Sequence, residues 1–145
     1  MKQSGRTSII PIAAVSGLVI LIGILMFSKE SLESIGGRFM TALATGDVDK
    51  LTALSYVGDE KPDEIKKQWE FATKTAGAHY AFFWRITSAD QQSESSGAVR
   101  MQIKRNADQP GSYDEAFQLP MTKVNGEWKV DVKGISRQMY PALPR

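Results

Sequence analysis

The sequence predicts an α+β fold: an N-terminal transmembrane helix, and then a domain in which three helices pack on a curved antiparallel four-strand sheet. Three observations lead to this prediction. Residues 9–27 contain no charged side chain. Apolar residues then recur at three- and four-residue spacing as far as Gly77, and beyond it they alternate with polar residues. Helices followed by strands are typical of an architecture in which the helices cover one face of the sheet.

The uncharged segment 9–27 is long enough to cross a bilayer, since a helix of this length spans about 28 Å. The alternative is a cleaved secretory signal, which would also begin with basic residues. Bulky and charged residues follow the segment where a cleavage site needs small ones, so we expect a retained anchor. Ala13 and Gly17 have the spacing that allows close packing against another membrane helix, although a lone anchor is an equally good interpretation.

The charges around this segment predict its orientation. Lys2 and Arg6 precede it, whereas the charges that follow it nearly cancel. By the positive-inside rule, residues 1–8 form a short cytoplasmic N-terminus and the domain at 28–134 is extracytoplasmic. The sequence therefore predicts a single-pass protein of the inner (cytoplasmic) membrane with a periplasmic domain.

The charge of the domain bears on its partners. The chain has 18 Lys and Arg and 16 Asp and Glu, and removing Lys2 and Arg6 leaves 16 of each sign. A formally neutral domain lacks the basic surface that nucleic acid requires, so we expect no nucleic-acid partner. The expected partners are the lipid bilayer and the subunits of a membrane protein complex.

Local signals mark where the three helices begin and end. Gly46 suits the left-handed position that ends the first helix, and Asp47 suits the cap of the second. Pro62 suits the first turn of the third helix, and Gly77 ends it. These signals predict short helices separated by sharp turns.

Four strands are predicted from alternation at about 80–87, 99–104, 113–121 and 128–132. Asn125-Gly126 is the strongest short signal for a two-residue hairpin turn. It pairs Val124 with Glu127 and therefore places Met121 opposite Val130 on the apolar face.

Two of these segments carry a resemblance to a known family. "ALATGDVDKLTAL" (42–54) and "NGEWKVD" (125–131) resemble the nuclear transport factor 2-like superfamily, over roughly residues 30–134. The resemblance implies a cone-shaped domain whose helices and sheet enclose a pocket. Members include isomerases, dehydratases, ligand binders and scaffolding subunits, some of them membrane-anchored, so the resemblance implies a fold and leaves the activity open.

Enzymes of this superfamily use Asp, Tyr or His inside the cone for acid-base chemistry. Of the residues that alternation places on the inward face, only Glu115 ionises near neutral pH. Desolvated by a tryptophan, it would serve as a base; at a frayed strand start, it would face water, and this second interpretation is favoured. The sequence has a single histidine, His79, no cysteine and no phosphate-binding loop. We therefore expect no metal or cofactor site. The candidate pocket residues are Tyr80, Trp84, Tyr113, Glu115 and Trp128, although aromatic residues more often simply fill a core.

Two surfaces are candidates for partner contact. Arg85 and Arg100 lie on the polar face of the predicted sheet, where they either dock on acidic groups or are simply solvated. The tail 135–145 contains two prolines and no period, so we expect neither helix nor strand. Its Met139, Tyr140 and Leu143 either pack on their own sheet or grip a neighbouring subunit. A homodimer through the sheet stays open.

Two functions from different classes follow. The first is a non-enzymatic membrane accessory or assembly subunit, whose extracytoplasmic domain contacts a larger respiratory, photosynthetic or secretory complex. The second is an anchored module that binds a small hydrophobic ligand in the cone, or an isomerase- or dehydratase-like enzyme. The thin set of ionisable groups favours the first.

Overall fold

The computed structural model describes residues 30–145, of which Ser31–Arg145 form one compact unit. The predicted membrane segment, with Ala13 and Gly17, lies outside the described residues. Among the helices that are described, none is both long enough and apolar enough to cross a bilayer.

Three helices open the unit, as predicted. They are α1 (Leu32–Thr45), α2 (Val48–Leu54) and α3 (Pro62–Phe71), and a π-helical turn (Ala72–Ala76) continues α3. Gly46 ends α1 with a φ of 68°, a conformation that costs glycine little because it has no Cβ. Asp47 caps α2, its side chain accepting a hydrogen bond of 3.1 Å from the backbone N–H of Lys50. The chain therefore reverses direction within two residues.

The sheet has five strands, and the prediction of four was wrong. The strands are β1 (Ser55–Tyr56), β2 (Phe82–Gln91), β3 (Ser96–Arg105), β4 (Asp114–Val124) and β5 (Glu127–Asp131), in the order β1-β5-β4-β3-β2. The additional strand β1 follows α2 directly and pairs in parallel with β5, while the other pairs are antiparallel. Two residues are too few to show alternation, and their partner lies more than 70 residues away, so no local signal marks them.

The predicted hairpin between β4 and β5 is confirmed. Asn125 and Gly126 have φ values of 51° and 81°, as a type I′ turn requires. Val124 pairs with Glu127, and Met121 pairs with Val130. Both members of the second pair are buried, so the hairpin presents its apolar face to the helices.

The core lies between the helices and this face of the sheet. Trp69 of α3 is completely buried, and its indole N–H donates a 3.0 Å hydrogen bond to the Ser55 hydroxyl in β1. Its ring meets that of Phe39 in α1 edge to face, with centroids 5.7 Å apart. The other large side chains that are almost wholly buried are Met40, Leu51, Val57, Val99, Met101, Ile103, Leu119, Val130, Val132 and Met139.

The tail belongs to this core. After a 3-10 turn (Val132–Gly134), the chain is irregular to Arg145, and Met139, Tyr140 and Leu143 are all buried against the rest of the unit. The Arg145 guanidinium donates hydrogen bonds to backbone carbonyls of residues 132, 133 and 135. The expected domain boundary at 134 therefore falls inside the compact unit.

Candidate functional site

A cluster of polar side chains lies where β2, β3 and β4 meet the tail. Arg105 is the last residue of β3, and Glu115 is the second residue of β4. The antiparallel register places Glu115 opposite Ile103, so Arg105 and Glu115 emerge on the same face, two residues apart along the ladder. Tyr80 precedes β2 and approaches the same point.

The strongest contact in the cluster is the bidentate pair between Arg105 and Glu115. The Arg105 Nε lies 2.5 Å from one carboxylate oxygen of Glu115, and its Nη2 lies 2.6 Å from the other. The two side chains are 30% and 22% exposed, so solvent screens the pair only partly. Two parallel charge-assisted hydrogen bonds fix the orientation of both side chains.

The cluster holds the tail in place. Arg105 donates through Nη1 to the backbone carbonyl of Gln138 at 2.7 Å, and the Tyr80 hydroxyl donates to that of Met139 at 3.0 Å. We call Tyr80, Arg105 and Glu115 the tail latch. Beside it, the ring of Tyr140 meets that of Tyr80 edge to face at a centroid distance of 5.2 Å.

The electrostatics of the tail latch follow from partial burial. Desolvation raises the pKa of the Tyr80 phenol, and the neighbouring Arg105 offsets part of that rise. Burial also raises the pKa of Tyr140. The hydrogen bonds that Arg105 donates to Glu115 raise the pKa of the guanidinium, which an arginine keeps charged at physiological pH in any case.

This arrangement suits holding a segment better than acid-base chemistry. Both oxygens of Glu115 already accept hydrogen bonds from a permanent cation. A carboxylate bound in this way has neither oxygen free of a hydrogen bond when it meets a substrate. Glu115 is therefore ion-paired with Arg105 at a partly exposed position. The two positions expected from the sequence, facing water or in an apolar pocket, do not describe this arrangement.

Within residues 30–145, the five candidate pocket residues lie on different parts of the domain. Tyr113 is 70% exposed, and with Glu115 it borders a surface groove of about 360 Å³ under the β3–β4 loop. Trp84 lies on β2 beside α1, close to Gly37. Trp128 lies on β5, which β4 and β3 separate from β2, and the Lys123 ammonium lies 5.4 Å above its ring. Only Tyr80 and Glu115 meet, through Arg105.

The candidate residues for partner contact fall into an exposed group and a buried group. Arg85 and Arg100 are exposed, as expected, and both are engaged on the sheet itself: Arg85 donates to the Gln102 side chain and Arg100 pairs with Asp90. The apolar tail residues that were candidates for partner contact, Met139, Tyr140 and Leu143, are buried in their own domain. Of the two arrangements left open for the tail, the structure has the first.

Sequence reasoning missed Arg105, although a signal for it exists. Val99, Met101 and Ile103 alternate onto the inward face of β3, and Arg105 is the next position in that series. A cation that continues an apolar series toward a strand end, opposite an inward carboxylate, indicates an ion pair. Within residues 30–145, no group of three or more His, Cys, Asp or Glu side chains is placed to hold a metal ion.

Neither a protein-family model nor a curated protein matches this chain. Among solved structures, a calcium/calmodulin-dependent protein kinase type II association domain from Thiobacillus denitrificans is 10% identical. Its TM-score is 0.51, and the match covers 69% of this chain and 89% of that one. A ketosteroid isomerase-like protein from Erwinia carotovora is 18% identical, with a TM-score of 0.49 and 68% and 87% coverage. An NTF-2 like protein of unknown function from Shewanella oneidensis is 16% identical, with a TM-score of 0.44 and 66% and 88% coverage.

At 10% identity, the similarity to the association domain shows a shared fold and nothing more specific. The three helices followed by a sheet, and the likeness in fold to the association domain, support the predicted α+β fold. That fold contains both enzymes and non-enzymes, so the fold does not decide between the two hypotheses.

The raised pKa of Tyr80 predicts alkaline destabilisation. In the unfolded chain a tyrosine ionises near pH 10, whereas in the folded chain Tyr80 keeps its proton to higher pH. The free energy of unfolding should therefore be unaffected by this group below about pH 10 and fall as pH rises above it. Urea unfolding between pH 8 and 11 measures this. Tyr80→Phe should show a shallower fall, and equal slopes in the two proteins would contradict the prediction.

Proposed function

We propose that this protein is a non-enzymatic accessory or assembly subunit that acts by contacting other proteins. The observation that carries the proposal is the filled interior: Met101, Ile103 and Leu119 of the sheet are almost wholly buried under the helices. The tail adds Met139 and Tyr140 to this packing. A small ligand would have to displace these side chains, so the interior favours a structural role over substrate binding.

The tail latch supports the same proposal. An enzyme of this fold needs a free acid or base facing a cavity. The inward carboxylate here, Glu115, is instead bound by Arg105, and the latch as a whole holds the backbone of the tail. These contacts hold the tail in one conformation, and a docking surface requires such a fixed shape.

The proposal includes the anchor expected from the sequence. Residues 9–27 would hold the chain in the inner membrane with the domain on the periplasmic side, where it would contact a larger membrane complex. A respiratory, photosynthetic or secretory complex would each fit. The exposed Arg85 and Arg100 offer a contact surface on the outer face of the sheet.

Co-purification tests this proposal. A tagged full-length copy is extracted from its native membranes in mild detergent, and the stoichiometry of the associated proteins is measured by mass spectrometry. We expect recovery at a fixed ratio with one large complex. An Arg85→Ala/Arg100→Ala double variant, which leaves the core untouched, serves to locate the contact on the sheet. Recovery of the wild-type protein alone, or as a simple homodimer, would overturn the proposal and favour the ligand-binding alternative.

A further inference from the structure

One half of β4 has a partner strand on one side only. β3 pairs with β4 from Asp114 to Thr122, but β5 pairs with it only from Met121 to Val124. The chain leaves β5 for the 3-10 turn at Val132, so β4 has no strand on this side between Asp114 and Pro120. The N-terminal part of β4 therefore forms an edge of the sheet, although β4 is an inner strand in the strand order.

The register shows which backbone groups face this edge. The N–H of Lys123 donates to the Ser95 carbonyl at 2.9 Å, on the β3 side. Backbone groups of consecutive residues in an antiparallel strand point to opposite sides, and the β3–β4 register runs without a shift. Odd-numbered residues of β4 therefore face β3, whereas Ala116, Gln118 and Pro120 face the edge. Pro120 fits this side because it has no N–H to donate.

The edge borders a groove of about 690 Å³. The tail lies close to both ends of this edge. A Cβ on Gly134 would lie 2.9 Å from Pro120, and the Gln138 carbonyl is bound by Arg105, the ion-pair partner of Glu115 in β4. Between these points the chain described by the structure makes no hydrogen bond to the edge-facing backbone groups of Ala116 or Gln118. Both residues are exposed.

The walls of the groove differ in polarity. The half-buried Phe117 contributes apolar surface, and Ser136 of the tail also borders the groove. The remaining lining residues are polar or small, and they include Thr87, Arg100 and Gln102. Side chains of an inserted strand alternate between two sides, so the groove suits a segment in which apolar and polar residues alternate.

We propose that this groove binds an extended peptide segment of a partner protein, which adds to β4 as a short strand. Ala116 and Gln118 together present two N–H donors and two carbonyl acceptors in one row. An extended backbone offers matching groups at the spacing that this row requires. The inference rests on the proposed function and names the surface that would carry it.

The probe is a display library of hexapeptides that alternate Val, Ile or Phe with Ser, Thr or Glu. Selected peptides are measured against the full-length chain by fluorescence anisotropy. Gln118→Pro removes the N–H that faces the groove without removing a hydrogen bond to β3, and Pro120 shows that the strand accepts proline on this side. Gln118→Ala is the matched control, because it changes the side chain and keeps the N–H. We expect Gln118→Pro to weaken binding about tenfold and Gln118→Ala to leave it within about threefold.

Hydrogen exchange keeps the test decisive if Gln118→Pro does not fold. In the wild-type chain, a bound peptide should slow exchange of the Ala116 and Gln118 amides. Protection confined to other segments, equal binding by both Gln118 variants, or no selected peptide would each overturn the inference. The co-purification assay separates this result from the proposed function: a complex recovered equally by wild type and Gln118→Pro would leave the subunit assignment standing and place the contact elsewhere.

Discussion

Trp69→Ala is expected to lower the free energy of unfolding by about 3–5 kcal/mol. Trp69 is completely buried between α3 and the rest of the core, and its removal leaves a large cavity. It also removes the edge-to-face contact with Phe39 and leaves the Ser55 hydroxyl without the indole donor. Because Ser55 belongs to β1, the substitution also loosens the attachment of that strand to the helices.

Urea unfolding followed by circular dichroism measures this loss. Trp69→Phe is the matched control, since it keeps an aromatic ring in the site and loses mainly the hydrogen bond to Ser55. It should cost clearly less than Trp69→Ala. A loss below about 1 kcal/mol for Trp69→Ala would mean that Trp69 does not pack against Phe39 and Ser55 as described.

Tyr140→Ala is expected to have an effect of similar size, about 3–5 kcal/mol. The Tyr140 side chain is 4% exposed, and its ring packs on Tyr80 and Phe82 with centroids 5.2 and 6.1 Å away. A Cβ on Gly77 would lie only 2.2 Å from its hydroxyl oxygen, so the glycine leaves the space that the phenol occupies. Without this ring, the tail keeps its polar contacts to the latch and loses its main apolar contact there.

Tyr140→Phe is the control for this prediction, because it keeps the ring and should stay within about 1 kcal/mol of wild type. Limited proteolysis gives a second measurement. Cleavage within residues 135–145 should become faster in Tyr140→Ala and stay slow in Tyr140→Phe. If Tyr140→Ala unfolds at the same urea concentration as wild type, the tail is not part of the folded core in solution.

Features with local causes could be predicted from the sequence. Gly46 and Asp47 decide the end of α1 and the start of α2 through their own conformational and hydrogen-bonding preferences. Asn125-Gly126 fixes the β4–β5 register because only small or flexible residues adopt two consecutive positive φ angles. In these cases the residues that determine the structure lie within a few positions of one another.

Features that depend on distant partners could not be predicted. β1 forms because Ser55 and Tyr56 pair with β5, which lies more than 70 residues further along the chain. A two-residue strand is too short to carry a local sequence pattern that predicts this pairing. The tail 135–145 has no period, so its sequence does not say which surface covers Met139. The latch forms where Tyr80 and Arg105 meet the tail carbonyls. Alternation along one strand predicts which face its side chains share, but it does not predict which other segment they contact.

Side chains of the domain itself fill the space between the helices and the sheet. Met40, Met101, Met121 and Met139 are all buried there, so their methyl groups report on that space. The most direct measurement is methyl NMR of the full-length chain labelled at methionine, titrated with small apolar ligands such as benzene and an aromatic ketone. If the interior is filled by these side chains, no saturable shift of the four signals should occur. Saturable shifts of the Met101 and Met139 methyls would instead reveal a ligand cavity between the helices and the sheet.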